Sequence, residues 1–314
     1  MWQREGVSGA ARAVVGRLPL RPGVYRFRDA RGQALYLGRA VSLRRRVASY
    51  WSDLGDRPHL LAMVDAIARI EAVECGSEHE AAWLERSLLE QELLPWNLTA
   101  GGQEAEVYLR LDASARSPGL TVVHAAGRDC DARYFGPYLG GLRARLAAAA
   151  LLRVLPLDYA AAAPAGAARD LARHRGAEPA DRPGLAAAIA AVLGREPAAV
   201  TAVRAELLGR RAAAAASQAY EVASRIQAEL AALEWVTAPQ RVVAIEAADT
   251  EAIACGWAGG VLVRFAIRAG RVRGWGEAHR SRTEAAPLLA QTPPEWREFA
   301  SHNARLAARL STPG

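Results

Sequence analysis

At 314 residues, 51% apolar and 23% charged, the chain is long enough for two or three compact domains and has the composition of a soluble globular protein. No uncharged apolar run reaches the roughly eighteen residues of a membrane span, and the opening Met1-Trp2-Gln3-Arg4-Glu5 lacks the apolar core of a secretion signal, so a cytoplasmic location without a membrane partner is expected. Cys75, Cys130 and Cys255 have neither disulfide nor metal-ligand spacing, whereas a net charge of +7, with 40 arginines and no lysine, favours a polyanionic partner.

Residues 1–16 read as an N-terminal extension. Val24-Tyr25-Arg26-Phe27 and Ala34-Leu35-Tyr36-Leu37 predict two strands of a hairpin, with Asp29-Ala30-Arg31-Gly32 as its turn. Gly38 releases the chain into a basic helix at Leu43-Arg44-Arg45-Arg46-Val47, with Ser42 near its start. Leu60, Leu61, Val64, Ile67 and Ala68 form one stripe of a helix over 58–70, and Ile70–Cys75 alternates as a third strand. Ser77-Glu78-His79-Glu80 has the capping-box pattern that opens a helix over 81–94, stopped by Pro95.

Two strands are expected near 106–112 and 119–125. Gly136-Pro137, inside Tyr134-Phe135-Gly136-Pro137-Tyr138, predicts a turn, followed by a helical stretch to about 154. The Ala-, Arg-, Gly- and Pro-rich segment 159–183 reads as a low-complexity linker. Residues 184–236 are expected to be helical throughout, with 200–235 as an antiparallel pair or one long helix. Strand patterns at Arg241–Ala247, Ala252–Trp257, Gly260–Ile267 and Arg271–Glu277 predict a small β-rich tail.

Charge is distributed unevenly. Residues 1–60 hold twelve arginines against four acids, and residues 61–110 hold ten acids against three arginines. A basic face beside a carboxylate-rich helix is what a phosphodiester-cutting metal site needs. Taken one at a time, the residues have plainer readings: Tyr25 and Tyr36 as cross-strand neighbours, Arg44–Arg46 as a solvated helix face, Glu85 as a surface carboxylate. His59 and His79 are expected at the surface.

Five blocks in order change that balance. Pro22-Gly23-Val24-Tyr25, then Tyr36-Leu37-Gly38-Arg39-Ala40, Leu43–Tyr50, Glu80–Leu89 and Pro95-Trp96-Asn97 together resemble the GIY-YIG nuclease domain in its UvrC form. The resemblance implies an α+β domain over 17–100, with a small antiparallel sheet flanked by helices, acting as a metal-dependent DNA endonuclease. It implies Glu85 as the sole protein ligand of one Mg²⁺, or Mn²⁺ in its place, and Arg46 as the clamp on the scissile phosphate. Tyr25 or Tyr36 would position or deprotonate the attacking water, and Arg39 and Tyr50 would assist at the phosphate. Asn97 would brace the site with the backbone of Gly23 and Gly38, and Arg44 and Arg45 would contact DNA. Arg39 stands where lysine is frequent in that family, and Ser87 where asparagine is frequent.

The resemblance continues through an accessory segment (101–158), without the cysteine cluster that follows in UvrC, and fades in the helical region (184–238) and the β-rich region (239–314). Residues 208–235 resemble the helical hairpin through which UvrC meets UvrB, but Gln227-Ala228 replaces the expected Arg-Asp pair and weakens that contact. Without the second nuclease domain and the helix-hairpin-helix domain of UvrC, the expected product is a single nick of the 3′ kind, as in the shorter homologue Cho. Similar modules also occur fused to DnaQ-like exonucleases, which makes such an enzyme a second candidate partner. The competing readings are a non-catalytic repair subunit that keeps the fold, and a flap- or branch-specific nuclease outside excision repair.

Overall fold

The computed structural model describes residues 9, 11–52, 60–99, 104–114, 117–127, 131–160, 170, 172, 178–239 and 251–311. Two compact units are present. Met1–Gln103 and Glu246–Gly314 make the first, Glu104–Pro239 the second.

The first unit starts from the predicted hairpin. β1 (Gly23–Arg28) pairs antiparallel with β2 (Ala34–Ala40) on one side and with β3 (Arg69–Glu74) on the other. The turn closes as its sequence requires: Asp29 Oδ1 accepts from the backbone of Arg31 and Gln33, and Gly32 takes φ +80°. α1 (Leu43–Ala48), α2 (Leu61–Ala66) and α3 (Glu78–Gln91) complete the α+β arrangement. α3 begins before residue 81 because Ser77 Oγ already caps the Glu80 N–H. His79, expected at the surface, is buried in its first turn. His59, and the start of the helix expected over 58–70, lie outside the described residues.

Alternation along β1 gives the sheet two unlike faces. Tyr25 and Phe27 join Leu43, Val47, Tyr50, Met63 and Ile67 in one buried cluster. Val24 points the other way, into a second cluster with Leu37, Val73, Leu84 and Leu89.

The C-terminal segment belongs to the same unit. β7 (Glu251–Ala258), β8 (Val261–Arg268) and β9 (Arg271–His279) form a meander, followed by α8 (Arg282–Ala290) and α9 (Pro294–Ser311). These two helices correct the β-rich reading of the tail. Ser281 and Glu284 form a capping box that starts α8, and Trp296, Ala300, Ala304 and Ala307 give α9 its buried stripe. The expected strand at 241–247 lies outside the described residues. α9 lies along β3: Leu306 and Leu310 enter the Tyr25 cluster, while Ala300, Ala304 and Ala307 enter the Val24 cluster. Among the described residues β3 has no further strand on its outer side, and an open edge leaves backbone groups unpaired. Buried Asn303 of α9 supplies the missing partner, accepting from Glu74 N–H at 2.7 Å and donating to Glu74 O at 3.1 Å.

A charged cluster joins β9 to the sheet. Glu71 accepts from Arg26 (2.7 Å) and Arg28 (2.8 Å), and Arg69 bonds Glu277 at 2.7 Å. Arg26 also stacks 4.3 Å over the Trp275 ring. Burial, and then the nearby Glu71 carboxylate, push the Glu277 carboxyl up to about 7, against the pull of Arg69 and Arg26.

In the second unit, β4 (Glu106–Asp112) pairs with β5 (Leu120–Val123) and β6 (Ala132–Leu139). Gly136-Pro137 lies inside β6 instead of forming a turn, at a register shift opposite Val107–Leu109 where the extra residue bulges out. α4 (Gly141–Val154), α5 (Arg182–Leu193), α6 (Pro197–Ala216) and α7 (Tyr220–Thr237) pack on this sheet and on one another. The expected continuous helix is broken at Gly194–Glu196, where Arg195 has φ 65°, and at Ser217–Ala219, where Gln218 has φ 60°. α6 and α7 form the expected pair, tied by Arg211–Gln227 and Arg204–Glu234 contacts. Buried Arg182, at the end of the expected linker, donates to the carbonyls of Leu157 and Ser117 and so ties that end to the β4–β5 connection. Residues 161–169, 171 and 173–177 of that segment lie outside the described residues.

Two outcomes are expected. Asn303→Ala strands a buried backbone N–H and lowers stability by about 1–3 kcal/mol, read by denaturant unfolding. For Glu277, the folded protein binds more protons than the unfolded chain between the ordinary glutamate value and about 7. Its stabilisation is therefore complete below the ordinary value and lost as pH rises through about 7. Thermal melts should show Glu277→Gln gaining on the native protein as pH rises through that window, and parallel profiles would remove this account.

Candidate active site

Three phenols from separate positions converge on one face of the first unit. Tyr25 comes from β1, Tyr36 from β2 and Tyr50 from the turn after α1. Their ring centres form a triangle with sides of 6.1, 6.0 and 6.1 Å. Tyr25 is buried completely and its hydroxyl lies 2.8 Å from that of Tyr50. Tyr36 is half-buried and also bonds Tyr50. Phe27 and Trp51 wall the group from behind; sequence reading had given them no part, although the alternation of β1 places Phe27 on the face of Tyr25.

The triangle depends on a missing side chain. Gly38 is the cross-strand partner of Tyr25, and a Cβ there would sit 2.5 Å from the Tyr25 hydroxyl and 2.8 Å from Tyr36 Cε1. Gly23 has a comparable role at the start of β1, where a Cβ would meet Val73 O at 2.2 Å and Leu43 Cδ1 at 2.7 Å.

Arg46 projects from α1 onto this group, hydrogen-bonding Tyr25, with its guanidinium 5.4 Å from the Tyr50 ring centre. Burial disfavours its charge, but the surrounding phenol oxygens outweigh that and raise its pKa, so it stays a cation. Burial also pushes the Tyr25 hydroxyl well above its ordinary value, with Tyr50 and Tyr36 adding to the shift and Arg46 opposing it. Tyr36 is raised for the same leading reason. Both phenols are therefore neutral near pH 7 in the protein alone.

Glu85 reaches from α3 to the end of β2. Its Oε1 accepts from Arg39 N–H at 3.1 Å, and its Oε2 lies 3.1 Å from Arg39 Nε. Asn97 grips β2 one step earlier, accepting from Leu37 N–H at 3.0 Å and donating to Leu37 O at 2.8 Å. Arg44 and Arg45 lie exposed on α1, Arg44 steadied by a 2.7 Å bond to Leu18 O. Tyr25, Tyr36, Tyr50 and Arg46 thus share one cluster, while Arg39, Glu85 and Asn97 gather at the adjoining stretch of β2.

The donor set suits a hard, well-hydrated ion. Among the described residues no three His, Cys, Asp or Glu side chains gather around a possible metal position. Glu85 is a partly exposed carboxylate, and Mg²⁺ is held by one or two carboxylates while keeping several waters. An ion there would share the carboxylate with Arg39.

Gly38→Ala should force the two tyrosines apart and lower stability by about 1–3 kcal/mol through overpacking. Thermal unfolding together with near-ultraviolet tyrosine dichroism would detect it, and an unchanged tyrosine signal would count against the close packing described.

Comparison with known proteins places this part of the chain beside one family. Residues 21–98 match the model of the UvrC-like GIY-YIG domain. Proteins called UvrABC system protein C are similar: that of Trichlorobacter lovleyi is 38% identical over 141 residues, 45% of this chain and 23% of the relative. That of Geobacter metallireducens is 37% identical over 143 residues, 45% of this chain and 23% of the relative. That of Nitratidesulfovibrio vulgaris is 37% identical over 141 residues, 45% of this chain and 20% of the relative. The chain thus spans about a quarter of the length of these curated relatives. Tyr25, Tyr36, Arg46 and Glu85 all fall inside the stretch 21–98 that matches the UvrC-like GIY-YIG model.

Proposed function

We propose that this chain is a metal-dependent DNA endonuclease that makes one single-strand incision, of the UvrC-like 3′ kind, in damaged or structured DNA during nucleotide excision repair. The observation that carries this is the convergence of Tyr25, Tyr36, Tyr50 and Arg46 beside the Arg39–Glu85 pair. Cutting a phosphodiester in line needs an oriented water, cationic charge on the phosphoryl oxygens and support for the leaving oxygen.

In this reading Arg46, fixed by its phenol partners, takes the non-bridging oxygens of the scissile phosphate, for which a planar guanidinium is suited. Tyr36, more open than Tyr25, orients the attacking water through its hydroxyl; it would accept the water's proton only as the phenolate, after its own proton has gone to solvent beside a bound cation. Tyr25 and Tyr50 form the hydrogen-bonded support that aims Tyr36 and Arg46. Glu85 would hold Mg²⁺ or Mn²⁺, which supplies positive charge to the phosphoryl group and favours a phenolate nearby. Arg39, released in part from Glu85, turns to the phosphate. Asn97 keeps β2 in place, and Arg44 and Arg45 contact the backbone of flanking DNA.

UvrB is the proposed protein partner, through the α6–α7 pair. Tyr220 and Val222 lie exposed there, but Gln227 is engaged by Arg211 within the pair and Ala228 carries no charge, so this contact has less support than the DNA contact. For a DnaQ-like partner the only support is the resemblance in sequence. A cytoplasmic setting fits this role, and no single described helix is long and apolar enough to cross a membrane.

One observation favours a binding subunit without cutting: the same Arg39–Glu85 pair occupies the proposed metal ligand. End-labelled duplexes, plain, lesion-bearing and flapped, incubated with Mg²⁺ or EDTA decide between the two. Nicking that needs Mg²⁺ and falls on the order of a hundredfold or more in Glu85→Gln is expected, the scale of losing one electrostatic stabiliser. Binding without nicking would favour the subunit reading, and cutting undiminished in EDTA would end the metal assignment.

A further inference from the structure

Leu98 is 87% exposed, more than any other large apolar side chain among the described residues. Such a leucine stands in water at a hydrophobic cost. The backbone just before it is held: Trp96 N–H donates to Leu35 O at 3.2 Å, Asn97 N–H to Leu94 O at 3.0 Å, and the Asn97 side chain clasps Leu37. From Trp96 beside Leu35 to Asn97 beside Leu37, the loop advances along β2 in the strand's own direction. Leu98 follows Asn97 in that direction, and the next residues of β2 are Gly38 and Arg39, the latter carrying the pair with Glu85. An exposed apolar side chain next to an anchored residue, near the arginine-bearing end of β2, has the form of a wedge. In duplex DNA, apolar residues of this size insert between base steps and unstack them, while nearby arginines hold the phosphates.

We propose that Leu98 is a substrate-selecting wedge that enters the base stack next to the scissile phosphate. This rests on the nuclease reading above and deepens it. Matched duplex must then be unstacked before it is cut. DNA already weakened by a mismatch, an abasic site or a gap accepts the wedge with less work, and so is preferred. Selection for distorted DNA would thereby reside partly in this chain and not wholly in its partners. Leu98 touches bases and not the reacting atoms, so it sets which DNA is cut and leaves the chemical step to Arg46, Tyr36 and Glu85.

The test compares the native chain, Leu98→Ala and Leu98→Met on a matched duplex and on the same duplex with a short unpaired bubble. Leu98→Ala should cut the matched duplex about tenfold more slowly and the bubble within twofold of the native rate, and Leu98→Met should recover most of the loss. In a second arm, non-cutting Glu85→Gln protein is added to duplexes carrying 2-aminopurine at successive positions. A rise in fluorescence at one step, lost when Leu98→Ala is added, is expected of a wedge. Equal cutting of matched DNA by the native chain and Leu98→Ala would overturn the proposal. An equal loss on both substrates would also do so, since it would show a general role in the loop. A drop in melting temperature of Leu98→Ala would show the leucine packed against this chain, again overturning it. If the native chain cuts neither DNA, the nuclease reading fails by itself. The fluorescence arm then decides the wedge alone, unstacking supporting it and its absence refuting it.

Discussion

Everything at the candidate site depends on how closely β2 lets Tyr25 approach. Gly38 lies opposite Tyr25 in the antiparallel register, and the phenol occupies the space that any side chain at 38 would take. From that position the Tyr25 hydroxyl reaches Tyr50, and through the same contacts Arg46 is held on the aromatic cluster. A single steric vacancy thus converts two strands and a short helix into an ordered array of polar groups. Protein interiors pack too tightly for such an array to tolerate even one extra methyl.

The pleat of β1 also separates two kinds of chemistry by a single residue step. Tyr25 and Phe27 face the aromatic cluster, while Arg26 and Arg28 face Glu71 and Trp275. On the aromatic side, burial keeps the phenols protonated, and their oxygens in turn favour the Arg46 cation. On the other side, two buried carboxylates are met by three arginines that reach in from a partly open surface. There burial, helped by the neighbouring Glu71, leaves Glu277 harder to ionise despite Arg69 and Arg26. The buried members of both clusters, Tyr25 on one side and Glu71 on the other, sit in low dielectric, where an unpaired polar group is costly.

The segment after residue 250 alters the meaning of the domain. Asn303 closes the open edge of β3, and α9 contributes to both hydrophobic clusters of the sheet. A three-stranded sheet has little area to bury by itself, so the first unit gathers residues more than two hundred positions apart into one core. The β2 edge is supported differently, by Asn97 bridging Leu37 from a loop close in sequence. One edge is thus held locally, and it is the one that Glu85 of α3 contacts through Arg39.

By itself the sequence determined what is local and periodic. The hairpin with its Asp29 turn, the capped helix from Ser77 and the paired helices of 200–235 follow from alternation, capping and helical spacing acting over a few residues. The site residues were legible as types in order, since Tyr25, Tyr36, Arg46 and Glu85 lie within about sixty residues and their chemistry fits one task. The tertiary structure decided what short-range pattern cannot encode. It made Tyr25 wholly buried and Tyr36 the open phenol, paired Glu85 with Arg39, absorbed Gly136-Pro137 into a bulged strand, and broke the long helical stretch at Arg195 and Gln218. It also sent the C-terminal helices back against β3, because the side chains that cover an open sheet edge are chosen by which surfaces remain unburied once the rest of the chain has packed.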